Sequence, residues 1–63
     1  MMKMITGYLA GKKISFYDAK AQHIRIGEVR LHQGRRLLVL TNKNEWREIS
    51  MDDVRKVYDG GNR

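Results

Sequence analysis

Residues His23 to Tyr58 read HIRIGEVRLHQGRRLLVLTNKNEWREISMDDVRKVY, and the fold turns on this run. Branched and leucine side chains alternate with arginines, and two clusters of turn formers, His32-Gln33-Gly34 and Asn42-Lys43-Asn44, cut the run into strand-length pieces. From His23 to Leu31 the apolar positions are Ile24, Ile26, Val29 and Leu31, so the period of two slips by one residue around Gly27-Glu28. The slip predicts a β-bulge at that point, with Gly27 supplying the backbone freedom a bend requires. In this register Ile24, Ile26, Val29 and Leu31 face inward, while Arg25 and Arg30 face outward. After the turn at Gly34, Arg35 to Thr41 (RRLLVLT) carries a continuous apolar run from Leu37 to Leu40. Such a run marks a central strand covered on both faces, or one with a face that meets a partner. Two parities are open there. If Leu37 and Val39 face inward, Arg36 faces outward; if Leu38 and Leu40 do, Arg35 takes its place. Glu45 to Ser50 (EWREIS) forms the next strand and sets Arg47 beside Trp46.

Upstream, Lys13 to Tyr17 alternates cleanly, with Ile14 and Phe16 on one face and Lys13, Ser15 and Tyr17 on the other. Lys3 to Leu9 reads as a first strand, closed by a turn at Ala10-Gly11-Lys12. Asp18 to Gln22 (DAKAQ) is polar and reads as a loop or one helical turn with Lys20 at its tip. Downstream, Ser50 and Asp53 have the spacing of a capping box. Met51, Val54, Val57 and Tyr58 then line either a short helix or, in the preferred reading, a single helical or 3₁₀ turn followed by a last short strand. The expected architecture is all-β: a small barrel of about five antiparallel strands with a short helical turn near the C-terminus. It occupies residues 1–59 as one domain, with 60–63 as a flexible tail.

A chain of 63 residues without cysteine has no disulfide to support its core. Below about 70 residues, the remaining supports are a metal or assembly with other copies, so homo-oligomerisation is an open route to stability. The absence of cysteine and of any apolar run long enough to span a bilayer leads to a cytoplasmic reading with no membrane partner. Thirteen Lys and Arg stand against seven Asp and Glu, a formal net charge of +6. That balance points to a polyanion, DNA or RNA, provided the cations share a face.

The order of parts resembles an SH3-like barrel, the fold of Tudor and KOW-type modules and of the C-terminal DNA-binding domain of retroviral integrases. The resemblance covers Gly11 to Tyr58. It rests on GEVRL after a bulge, the hairpin through Gly34, LLVLT, and WREISMDDVRKV, where a strand leads through one turn into a terminal strand. It implies a face or loop rim that holds nucleic acid or, in Tudor domains, a methylated side chain. A Tudor cage needs converging aromatics, whereas Tyr8, Phe16, Tyr17, Trp46 and Tyr58 are scattered here, and the glycine spacing of the KOW motif is not matched.

The leading expectation is therefore a nucleic-acid-binding module of low sequence selectivity. Lys13, Arg25, Arg30, Arg35, Arg36 and Arg47 would contact phosphates, and Tyr17 and Trp46 would stack on bases. Each has a plainer reading. Trp46 is better placed as a core or barrel-end residue in a chain so poor in large side chains, and Arg35-Arg36 equally serves as a solvated, edge-protecting pair. The alternative class is a small accessory or inhibitor protein that docks on a larger protein through an exposed strand such as LLVLT. Catalysis is not expected. There is no cysteine nucleophile, and His23 and His32 lack carboxylate and hydroxyl partners at triad spacing, so both read as surface residues flanking turns. No metal or cofactor is called for, because two isolated histidines do not make a zinc site and no glycine-rich loop runs into a helix.

Overall fold

The computed structural model describes residues 7–58. Five antiparallel strands, β1 (Lys13–Asp18), β2 (His23–Gln33), β3 (Arg36–Thr41), β4 (Trp46–Ser50) and β5 (Val54–Tyr58), form one sheet in the order β4-β3-β2-β1-β5. The only helical element among the described residues is a 3₁₀ turn, Met51–Asp53, between β4 and β5. The all-β expectation holds, and the sheet is compatible with a small barrel-like fold. Of the expected strand at Lys3–Leu9, residues 3–6 lie outside the described residues, and Tyr8 to Gly11 form a turn. The expected tail beyond Asp59 also lies outside them.

Local chemistry explains the connections. The Asp18 carboxylate accepts the amides of Lys20 and Ala21, winding the β1–β2 connection onto the end of β1. The β2–β3 hairpin has a two-residue loop, with Gln33 paired to Arg36 and Gly34 at φ +58, the positive φ that a tight hairpin turn needs at its first central position. At the β3–β4 turn, Asn44 takes φ 63 and the Thr41 hydroxyl accepts the amides of Lys43 and Glu45. The Ser50–Asp53 capping box forms in full: Ser50 accepts the Asp52 amide and the Asp53 carboxylate accepts the Ser50 amide. The second reading of the tail is the correct one, with β5 starting at Val54, directly after the 3₁₀ turn.

The inner face holds Leu9, Ile14, Phe16, Val29, Leu37, Val39 and Ile49, with Met51 and Val54 packed against them. This settles the parity of β3: Leu37 and Val39 face inward, and Arg36, Leu38 and Leu40 face outward. In β2, however, the expected facing is overturned. The register shifts at Arg30, between the pairs Val29↔Val39 and Leu31↔Leu38, and not at Gly27-Glu28. Counting back from buried Val29, the inward residues are Gly27 and Arg25. Counting forward past the extra residue, the inward residue is His32, which is buried. Ile24, Ile26 and Leu31 are therefore on the outer face, where Leu31 keeps 43% of its surface exposed and Ile26 38%. His32, expected at the surface, accepts the Leu9 amide on Nδ1 at 3.2 Å, and its Nε2 hydrogen bonds the Gly34 carbonyl at 3.0 Å. The Gly7 amide donates to the His32 carbonyl at 2.8 Å, and the Tyr8 ring lies edge-on to the imidazole. These contacts bring Leu9 into the core.

Gly27 also serves a different purpose from the one its sequence context implies. Its φ is not in the left-handed region, and a Cβ built on it would come within 2.6 Å of Val39 Cγ1 and 2.8 Å of the Leu40 carbonyl. The glycine allows β2 and β3 to approach under the Val39 side chain. Gly27→Ala is expected to destabilise the fold by about 1–3 kcal/mol through overpacking, seen as a lower urea midpoint at unchanged m value. An unchanged midpoint would show that the close approach is not needed.

Candidate nucleic-acid interface

The cations separate into three groups according to what the strands place beside them. Arg25 and Arg47 point inward and meet two carboxylates where the ends of β1, β2 and β4 converge. Arg47 Nε donates to both Asp18 oxygens at 3.1 and 3.0 Å, and its NH2 reaches Glu45 Oε1 at 3.1 Å. Arg25 NH2 reaches the same Glu45 oxygen at 3.1 Å, and its NH1 lies 3.7 Å from Asp18. The Arg25 side chain is only 10% exposed and that of Asp18 2%. The outward placement expected for Arg25 is thus corrected. Both arginines neutralise Asp18, whose burial would otherwise make its charge costly, and hold the exposed Glu45 beside it; no buried side-chain nitrogen or oxygen among the described residues lacks a partner.

Arg35 and Arg36 flank the Gly34 turn and are exposed, but each has a carboxylate partner, Asp52 for Arg35 and Glu48 at 2.9 Å for Arg36. Exposed pairs of this kind contribute little stability and separate readily. The third group, Lys12, Lys13, Lys20, Arg30, Lys43, Arg55 and Lys56, makes no ion pair among the described residues. Arg30 is exposed at the bulge of β2, next to Lys12, whose carbonyl accepts the Val29 amide.

The register of β1 with β5 collects several of these unpaired cations. Lys13 is paired with Tyr58 and Ser15 with Lys56, which sets Lys13, Lys56 and Tyr58 on one outer face, as cross-strand partners share a side. Lys56 Nζ lies 5.6 Å from the centroid of the Tyr58 ring. Tyr17 continues the same face of β1, about 13 Å beyond Lys13 at the rise of a β-strand. There it enters a cleft of about 250 Å³, lined also by Lys20, Asp53 and the consecutive β4 residues Trp46 to Ile49. Trp46, the first residue of β4, is 53% exposed, which overturns its placement in the core.

Three of the expected site residues, Tyr17, Trp46 and Arg47, are thus brought to one cleft, Arg47 by its flank while its guanidinium is turned inward. Trp46 and Arg47 take opposite sides of β4, as adjacent strand residues do. Lys13 stands on the same face as Tyr17, and Arg30 on the neighbouring strand. Arg25, Arg35 and Arg36 lie elsewhere. Lys20, Lys56 and Tyr58 are additions. Lys56 escaped sequence reasoning because its side depends on the register shift opposite Ser15/Phe16, which leaves Arg55 as the extra residue of β5. The acidic residues in the cleft are already engaged: Asp18 with Arg47, Asp53 with the Ser50 amide, Glu48 with Arg36. The arrangement offers aromatic faces and unpaired ammonium groups, which suits an anionic, planar ligand. The chain matches no family model, and neither curated proteins nor solved structures yield a match.

Asp18 is also the titrating centre of the inner cluster. Burial works to raise its carboxyl, but the Arg47 hydrogen bond, the Ala21 and Lys20 amides and the Arg47 charge together outweigh it and hold the group below its ordinary range. A carboxyl whose folded pKa lies below its unfolded value, about 3.9, adds stability in full above that value and loses it as pH falls through the folded pKa. Asp18→Asn should cost about 3 kcal/mol at pH 7, because it leaves buried guanidinium groups undercompensated. Thermal unfolding followed from pH 7 to pH 2 should show the two proteins converging at the acid end. A gap that persists unchanged into acid would mean that the Asp18 charge is not the stabilising element.

Proposed function

We propose that this chain is a nucleic-acid-binding module of low sequence selectivity, built on an SH3-like layout of its five strands. The layout is supported by the strand order with a 3₁₀ turn leading into the last strand. The binding reading is carried by one observation. The chain's excess positive charge is not distributed evenly: four arginines are taken up by carboxylates, while the outer face of β1 and β5 keeps Lys13 and Lys56 unpaired beside Tyr58 and Tyr17. That face leads into the cleft of Lys20 and Trp46. A row of cations interleaved with aromatic faces is what a single strand needs: ammonium groups along the phosphates and platforms on which bases stack. Nothing in the row presents a fixed pattern of donors and acceptors to base edges, so affinity would exceed sequence discrimination. Arg30 extends the positive surface at the bulge, and Arg35 and Arg36 join it when their exposed pairs open. Arg25 and Arg47 serve the fold in this reading. The chain acts as a binding module and not as a catalyst.

Fluorescence anisotropy with labelled single-stranded and duplex oligonucleotides of DNA and RNA, over a salt series, tests the proposal. Affinity should fall linearly in log salt, and the slope reports the number of phosphates neutralised. Combined charge reversal, Lys13→Glu with Lys56→Glu, should weaken binding by about 100-fold while leaving the circular dichroism spectrum intact. Tyr17→Ala should cost about 1–3 kcal/mol with single strands and much less with duplex. Absence of binding even at low salt would overturn the reading, and so would equal affinity of the double reversal and the parent chain.

A further inference from the structure

The outer side of β2, β3 and β4 differs in character from that of β1 and β5. Leu31 is paired with Leu38, and Leu40 with Trp46, so four large apolar side chains adjoin one another on a sheet surface with no element of the described chain over it. Ile26 lies beyond, on β2. Two hollows of about 260 and 250 Å³ flank this strip, one around Leu31 and Leu38 with Gln33, Arg36 and Glu48, the other around Ile26 and Leu40 with Glu28, Lys13 and the Asn42–Asn44 turn. Contiguous apolar surface of this kind marks an interaction face.

We infer that this face docks a second copy of the same chain, β3 against β3 in antiparallel stacking about a two-fold axis. The inference does not rest on the nucleic-acid reading: the two surfaces share Trp46, Lys13 and Arg36 at their margins, but this one is centred on Leu31, Leu38 and Leu40. Charge indicates the occupant. The strip has a cation at one end, Arg36, and an anion at the other, Glu28, which stands opposite Leu40. A two-fold axis passing through the face near Leu38 puts each Arg36 over the Leu40–Glu28 end of its mate. The two ends then complement each other twice, as an isologous contact demands. A polyanion has no net charge to meet on this face, because Glu48 balances Arg36 at one end and Glu28 stands beside Lys13 at the other. The area is consistent with a reversible dimer. Three strands spaced by about 4.8 Å and about 20 Å long cover roughly 300 Å² per copy in projection, and more as accessible surface. Counted over both copies that is roughly 600 Å² in projection, below the ~1,000 Å² at which stable specific interfaces begin, so the dimer is a weak one that forms only at high concentration. Assembly also offers a small core the support that a chain without cysteine lacks.

Sedimentation velocity of the full chain, over loading concentrations from about 1 µM to about 1 mM, tests the inference. The parent should pass from monomer to dimer across that range. Leu38→Glu changes an outward side chain and leaves the inner core untouched, so it should stay monomeric at every concentration while keeping its circular dichroism spectrum. Should Leu38→Glu fail to fold, the charge pair decides. Arg36→Glu should weaken the dimer by about 10-fold, because it sets a carboxylate over Glu28 of the mate, and Arg36→Glu combined with Glu28→Arg should restore it. A parent that remains monomeric throughout overturns the inference and leaves the face to a different protein. A folded Leu38→Glu that dimerises like the parent, or a charge swap that fails to rescue Arg36→Glu, overturns it as well.

Discussion

The extra residue at Arg30 is the constraint on which the molecule depends. A strand has only two sides, so an insertion of one residue exchanges them for everything downstream. With the insertion at position 30, Arg25, Gly27 and Val29 share the inner side with His32, and Ile24, Ile26 and Leu31 share the outer. Downstream of it, His32 is delivered to the N-terminal segment and Leu31 to the outer side. Upstream, the unbroken alternation back from Val29 delivers Arg25 to the carboxylates at the end of β1 and leaves Ile24 and Ile26 outside, so the outer side of β2 is apolar on both sides of the insertion.

The interior that results is small and mixed. Seven apolar residues form its centre, and at two ends polar groups take over: the Asp18–Arg47–Glu45–Arg25 cluster, and the His32 ring with its bonds to Leu9 and Gly34. Polar groups inside so small a core are tolerable because each is bonded, and they carry geometric information that aliphatic contacts lack. A guanidinium nitrogen shared between both oxygens of one carboxylate fixes the relative position of β1 and β4, which are not neighbours in the sheet.

Much of this was legible from residues alone, and the failures have one cause. The strand runs, the turns at Gly34 and Asn42–Asn44, the capping box of Ser50 and Asp53, and the outward set of Lys13 and Tyr17 all follow from short-range chemistry. The facing of β2 does not. A slip at Gly27-Glu28 and a slip at Arg30 both keep Val29 inside, and apolar periodicity selects the first because it buries two isoleucines. Packing selects the second: only a residue without a side chain passes beneath Val39, and Arg25 finds carboxylates that lie 7 and 20 positions away in the chain, at Asp18 and Glu45. Likewise the exposure of Trp46 could not be read from its size, and the place of Lys56 and Tyr58 beside Lys13 required the register of β5.

His32 also alters where the folding unit starts. Judged by hydrogen-bonded ladders, the sheet begins at Lys13, but a side chain 23 positions after Leu9 holds that residue's amide, and the Gly7 amide is held by the carbonyl of the same histidine. Leu9 is among the most deeply enclosed side chains of the core. A minimal fragment trimmed to the strands would keep every ladder and still open the interior to water, so an imidazole carries the fold beyond its sheet, at least as far as Gly7.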